Sequence, residues 1–173
     1  MITVALTLAG LSTLVSTPSA QLDFDLPLSI SHVHLTVRNF DVHMRFWVTT
    51  LGGRPGGFRP DGLQPDRPPF VAFPKLLVGL VNGTAQGGTN GSTLDHIAFQ
   101  VPDLQALLDT VRAAGYPIVT KSAAPPGARV TGDTAFLPGQ GLTVAYVLAP
   151  DDVLVEFAAG GRLPAPSFHH VHL

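Results

Sequence analysis

One pattern constrains this chain above all others: a strand, a helix and several strands occur twice in the same order. Residues 30–38 (ISHVHLTVR) alternate apolar and polar and predict a strand, with Val33, Leu35 and Val37 on one face and His32, His34 and Thr36 on the other. Asn39 is placed as a helix N-cap, and Phe40, Met44, Trp47, Val48 and Leu51 follow at helical spacing until Gly52-Gly53 stops the run. Residues 54–69 are rich in Pro and Gly and predict a loop with little regular structure, set to cover a cavity and influence substrate choice. Short apolar runs at 70–73 and 75–81 predict further strands. After a Gly- and Thr-rich linker at 82–93 the pattern restarts. Residues 93–101 (TLDHIAFQV) predict a strand, with His96, Ala98 and Gln100 on the face opposite Ile97, Phe99 and Val101. Asp103 caps a second helix with a stripe of Leu104, Leu107, Leu108 and Val111, ended by Gly115. Strands are expected at 117–121, 134–137, 142–148 and 153–158, with a Pro150-Asp151-Asp152 turn before the last. His32 and His96 stand 64 residues apart, and Val33/Ile97, Leu35/Phe99 and Val37/Val101 keep that offset. The reading is an internal repeat of one α/β unit, each copy burying its strands under its own helix.

The ends of the chain differ from this body. Residues 1–20 carry no charge, run apolar from Val4 to Val15 and finish on small residues, which resembles a secretory signal cleaved after Ala20. On that reading the mature protein is exported, periplasmic or secreted; on the other, a buried strand or apolar helix, it is cytoplasmic. The run is too short for a stable membrane span. At the far end, His170-Val171-His172-Leu173 repeats His32-Val33-His34-Leu35 after a Pro-rich connector. Residues 161–173 therefore read as a connector and the start of a further module, or as a His-rich, metal-affine tail.

Composition narrows the chemistry. At 173 residues, 45% hydrophobic and 13% charged, the chain can build a sizeable core. A net charge of −2 gives no footprint for nucleic acid. With no Cys, disulfides and thiolate ligands are excluded, and any metal falls to His, Asp, Glu or water. No phosphate-binding glycine loop, nucleophile elbow or His-Glu-x-x-His helix occurs.

In the last strand Val153, Val155 and Phe157 form the apolar face, which leaves Glu156 aimed the other way between Leu154 and Ala158. A carboxylate in such a strand is costly unless paired or metal-bound. If the two sheets curve around a shared cavity, His32, His96 and Glu156 point into it as a two-His, one-carboxylate set for one divalent metal ion: Fe, Mn, Zn, Ni or Co. His34, Gln100 and Tyr146 are candidates for supporting the ligands or touching substrate, and plain cavity lining is the alternative for His34. His43, off the apolar stripe, is expected in solvent.

The segments HVHLTV with the following FW helix, DHIAFQV-PD and APDDVLVEF resemble the vicinal oxygen chelate superfamily: glyoxalase I, fosfomycin-resistance proteins, extradiol dioxygenases, methylmalonyl-CoA epimerase and bleomycin-resistance proteins. The resemblance covers residues 28–160. It implies an α+β fold of two paired βαβββ modules, 28–82 and 93–160, forming a U-shaped, barrel-like mixed sheet around a metal. It also implies ligands at His32, His96 and Glu156, with Glu156 the catalytic carboxylate. A fourth ligand used by some members falls in residues 77–80, where Gly79 cannot ligate, so the three-ligand branches fit better than glyoxalase I. The implied function is a metalloenzyme acting on a small oxygenated substrate, by dioxygenase, isomerase, epimerase or lyase chemistry. Two alternatives stay open: a metal-free sequestering protein of the bleomycin-resistance type, and a fragment of a tandem protein. A homodimer and a missing second domain are equally open as partners.

Overall fold

Alternating strands and two capped helices build two mixed sheets around a shared core. The structure, a computed structural model, describes residues 32–59, 62–64 and 70–173. The residues read as a signal segment lie outside this range. In chain order the elements are β1 (His32–Val37), α1 (Phe40–Met44), a π-helical continuation (Arg45–Thr50), β2 (Arg54–Pro55), β3 (Gly57–Arg59), β4 (Gly62–Gln64), β5 (Phe70–Phe73) and β6 (Leu76–Asn82). The second half holds β7 (His96–Val101), α2 (Leu104–Ala113), α3 (Thr120–Ala123), β8 (Arg129–Thr131), β9 (Thr134–Leu137), β10 (Leu142–Ala149), a 3₁₀ turn (Pro150–Asp152), β11 (Val153–Ala159) and β12 (Ser167–His172).

The repeat appears as strand order. The first sheet runs β1-β6-β5-β2 and the second β12-β7-β11-β10-β9-β8. In each, the first strand of the copy lies parallel to the last: β1 beside β6, and β7 beside β11. The remaining pairings are antiparallel, so the fold is mixed α+β. β12 adds to the outer edge of β7, antiparallel to it.

The strand faces divide as the alternation requires. Leu35, Val37, Ile97, Phe99, Val153, Val155 and Phe157 join one large core with Leu104, Leu108 and Val111 of α2. Leu154, Ala158 and Tyr146 face the other way into a smaller cluster with Leu137. Both helices start where the side-chain caps place them: Asn39 accepts from the Val42 amide at 3.2 Å, and Asp103 from the Ala106 amide at 2.9 Å.

The structure departs from expectation in four places. The first helix widens after Met44, and the Leu51 amide bonds the Phe46 carbonyl five residues back. That extra residue turns Phe46 as well as Trp47 fully into the core. The segment read as a loop carries β2, paired to β5, and the β3–β4 hairpin. Residues 117–121 are not a strand; a single bridge at Ile118 to Val147 leads straight into α3.

His43, expected in solvent, is fully buried. Its Nδ1 accepts from Trp47 Nε1 at 3.3 Å, which leaves Nε2 to donate to Asp151 Oδ2 at 3.1 Å. Asp151 also accepts from the Arg38 amide at 2.8 Å. One carboxylate in the last turn of the second copy thus grips the helix start of the first. Asp151 does this from the left-handed region (φ 58°), where its neighbour Asp152 (φ 56°) also lies, a strained conformation for non-glycine residues.

Candidate metal centre

Pairing register brings the site together. Across β12, β7, β11 and β10 one row reads His170, Ala98, Glu156, Tyr146. All four residues occupy one row across the sheet, on the face away from α2, and His96 stands two residues before Ala98 on that same face. His96 and Glu156 are only 4% and 3% exposed, a burial that charged groups tolerate only when paired.

Each is held by its own partner. Asp95 Oδ1 stands 2.7 Å from His96 Nδ1, and its other oxygen accepts from the Gly91 amide at 2.7 Å. With Nδ1–H donating to Asp95, the Nε2 lone pair faces Glu156 Oε2 at 3.4 Å. With no proton between two acceptors that contact is not a hydrogen bond, and Nε2 is a buried nitrogen without a hydrogen-bond partner. Tyr146 donates its hydroxyl to Glu156 Oε2 at 2.7 Å, while its amide donates to Thr120 Oγ1 on α3 at 2.9 Å.

The electrostatics follow from this packing. Burial alone lowers the basicity of His96, but Glu156 and Asp95 on either side outweigh it and raise its pKa. Burial likewise works to raise the Glu156 pKa, and the neighbouring His96 imidazole and the Tyr146 hydrogen bond overcome it and lower the value. Burial, reinforced by the neighbouring Glu156, pushes the Tyr146 hydroxyl far up, so it remains a donor.

Among the described residues, two groups bring ligand atoms within 4.8 Å of one another: His96, Glu156 and His170, and Asp95, His96 and His172. Both share His96. A cavity of about 440 Å³ opens over them, with Leu137, Pro125, Gln140 and Asn90 in its walls. The donor set is two imidazoles and a carboxylate with an orphaned nitrogen, which fits a hard or borderline divalent cation.

Of the residues anticipated from sequence, His96, Glu156 and Tyr146 meet here. Gln100 lies opposite Ala158 and Ser167 and does not line the cavity. His32 and His34 sit on the first sheet, their rings 5.0 Å apart and packed edge-on to Phe70, and His32 belongs to neither group. Asp95 was not anticipated; its signal was a carboxylate directly before a histidine on a strand start. Tyr146 was a candidate without an assigned register; the structure pairs it with Glu156 across the Asp151 turn.

The glyoxalase/bleomycin resistance protein/dioxygenase superfamily model matches residues 31–136. The chain belongs to that superfamily. No curated protein matches it. Among solved structures it resembles a fosfomycin resistance protein, FosX, from Listeria monocytogenes (20% identity over 78% of this chain and 92% of that one, TM-score 0.51). A mutant of the same protein, complexed with Mn(II) and 1S,2S-dihydroxypropylphosphonic acid, matches at 20% identity over 78% and 93%, with TM-score 0.53. An integron cassette protein from Halifax Harbour sewage outfall matches at 15% identity over 76% and 98%, with TM-score 0.52. At these identities the likeness speaks for the fold.

Proposed function

We propose that this chain is a divalent-metal-dependent enzyme acting on a small oxygenated molecule, with the metal held by His96 and Glu156. The observation that carries the reading is the buried, unpartnered His96 Nε2 facing a buried carboxylate at the floor of a cavity. A bound cation would supply Lewis acidity toward two neighbouring substrate oxygens, or, as Fe(II), reactivity with dioxygen.

The chain's own residues prepare the site. Asp95 holds the His96 tautomer that presents Nε2 to the cavity, as a carboxylate behind a ligating histidine does. Tyr146 orients Glu156 and keeps its proton there. The cavity volume suits a small molecule, with Leu137 and Pro125 offering apolar surface and Gln140 and Asn90 offering hydrogen bonds to oxygens. The FosX mutant, complexed with Mn(II) and 1S,2S-dihydroxypropylphosphonic acid, supports the reading of a metal together with a small oxygenated molecule.

The test is elemental analysis of untagged protein beside a His96→Ala variant. About one metal per chain, lost in the variant, is the expected result. A protein that carries none and refuses added Fe, Mn, Zn, Ni and Co would instead be a metal-free binding module.

A further inference from the structure

We infer that the third protein ligand of this metal is His170, delivered by β12, and that His32 is not a ligand of this site. The inference rests on the metal-binding reading above and goes beyond it in naming the strand that completes the site.

Ala98 on β7 has Glu156 beside it on β11 and His170 beside it on β12. Neighbouring strands stand about 4.8 Å apart, so His170 and Glu156 flank Ala98 with backbones about 10 Å apart. Two side chains of their length close such a gap when the residue between them is small. Ala98, fully buried, leaves that space open, and His96 fills in from one row away. The ligand atoms of His96, Glu156 and His170 accordingly fall within 4.8 Å of one another.

β12 carries the tetrapeptide of β1: His170-Val171-His172-Leu173 against His32-Val33-His34-Leu35. His170 holds the place in its copy that His32 holds in the other. The outer edge of β7 is occupied by β12, whereas the corresponding edge of β1, in the other sheet, carries no strand among the described residues. The histidine expected from β1 is thus supplied from a second strand of the same sequence.

β12 is also anchored independently of any metal. The Phe168 amide bonds the Pro74 carbonyl at 3.1 Å, the Asp95 amide bonds the His172 carbonyl at 2.8 Å, and Ser167 is buried. These bonds link the strand to both copies and hold His170 at a set height beside His96, ring centroids 5.5 Å apart. The competing group built on Asp95 and His172 is weaker. Asp95 Oδ1 is already taken by His96 Nδ1, and His172 is exposed.

The experiment is titration of the full, untagged, metal-stripped chain with Mn(II) and with Co(II). The visible Co(II) spectrum reports the ligand set without any assay of activity. Wild type is compared with His170→Ala, His170→Gln, His32→Ala and His172→Ala, each checked for folding by circular dichroism. The expected result is weakening by about a hundredfold or more in both His170 variants, beyond the 10–100-fold typical of supporting residues, with an altered Co(II) spectrum. His32→Ala and His172→Ala should match wild type. Metal loss in His32→Ala, or full binding with an unchanged spectrum in His170→Gln, overturns the assignment while leaving the metal reading intact. A wild-type chain that binds neither ion overturns both.

Discussion

The two copies share a backbone register and differ in what they set on it. In the first, His34 on β1 lies opposite Gly79 on β6; in the second, Ala98 on β7 lies opposite Glu156 on β11. A large ring is set against a glycine in the first copy, and a methyl against a carboxylate in the second. A Cβ added at Gly79 would stand 3.0 Å from His34 Cδ2 and 3.1 Å from Phe70 Cε1, so the first copy packs its equivalent position shut with rings. The second sets the Ala98 methyl where the first has His34, puts Glu156 where the first has Gly79, and opens a cavity beside them. The same fold thus makes a plugged position and an open one through two residues in each copy.

The comparison breaks if the copies do not share one core. Phe99 packs against Phe73 (4.9 Å between centroids) and Trp47 (6.4 Å) of the first copy and Phe157 (6.2 Å) of the second. Phe99→Ala should therefore cost about 3–5 kcal/mol and lower a single unfolding transition in calorimetry. Two separate transitions in the wild type would show that each copy folds alone.

Gly79→Glu writes the second copy's carboxylate into the first. With His34 and Phe70 in the way, it should cost about 1–3 kcal/mol and add no second metal equivalent by elemental analysis. A stable variant that binds two ions would mean that the rings are not what closes the position.

A third contrast lies in buried histidines. His43 has its pKa lowered, chiefly by burial and despite Asp151. Its folded value lies below the unfolded 6.5, so the unfolded chain takes up the proton first. Its contribution is complete above that pH and is lost as pH falls toward the lower folded value. Asp151 then adds a second loss: burial would raise its pKa, but the bonds from Arg38 and His43 lower it below 3.8. The melting temperature of metal-free protein should fall as pH drops from about 7 to 5, and less so in His43→Gln. Equal slopes in the two proteins would remove His43 as the cause.

The smallest effect separates the helix caps. Asp103→Ala should cost about 1 kcal/mol in urea unfolding, and Asn39→Ala less, since its bond is longer, 3.2 Å against 2.9 Å. The reverse order would mean that the first helix depends more on its cap than geometry suggests.

Local chemistry made much of this readable in advance. Period-two alternation assigned the faces of β1, β7 and β11, and so singled out Glu156 as a carboxylate in an apolar strand. The caps at Asn39 and Asp103 were visible because capping acts over three residues. What escaped the sequence depends on distance along the chain. His43 reads as a surface residue because its partner Asp151 is 108 positions away. The identity of the HVHL tetrapeptides was plain, but nothing local says that β12 lies along β7. The short helix at 120–123 wins over a strand because Thr120 bonds the Asp133 carbonyl and receives the Tyr146 amide, both from later in the chain.

β7 has a consequence in time as well as in space. It is flanked by β11 and β12, whose site residues lie 58 and 72 positions downstream of Ala98. Non-local pairing of this kind is slow, since the intervening chain must lose its freedom before contacts form. The pocket should therefore be among the last features to assemble, after the helices and the hairpin turn at Asp151. An ion supplied during refolding would then leave the rate of the main folding phase unchanged and slow only the reverse reaction.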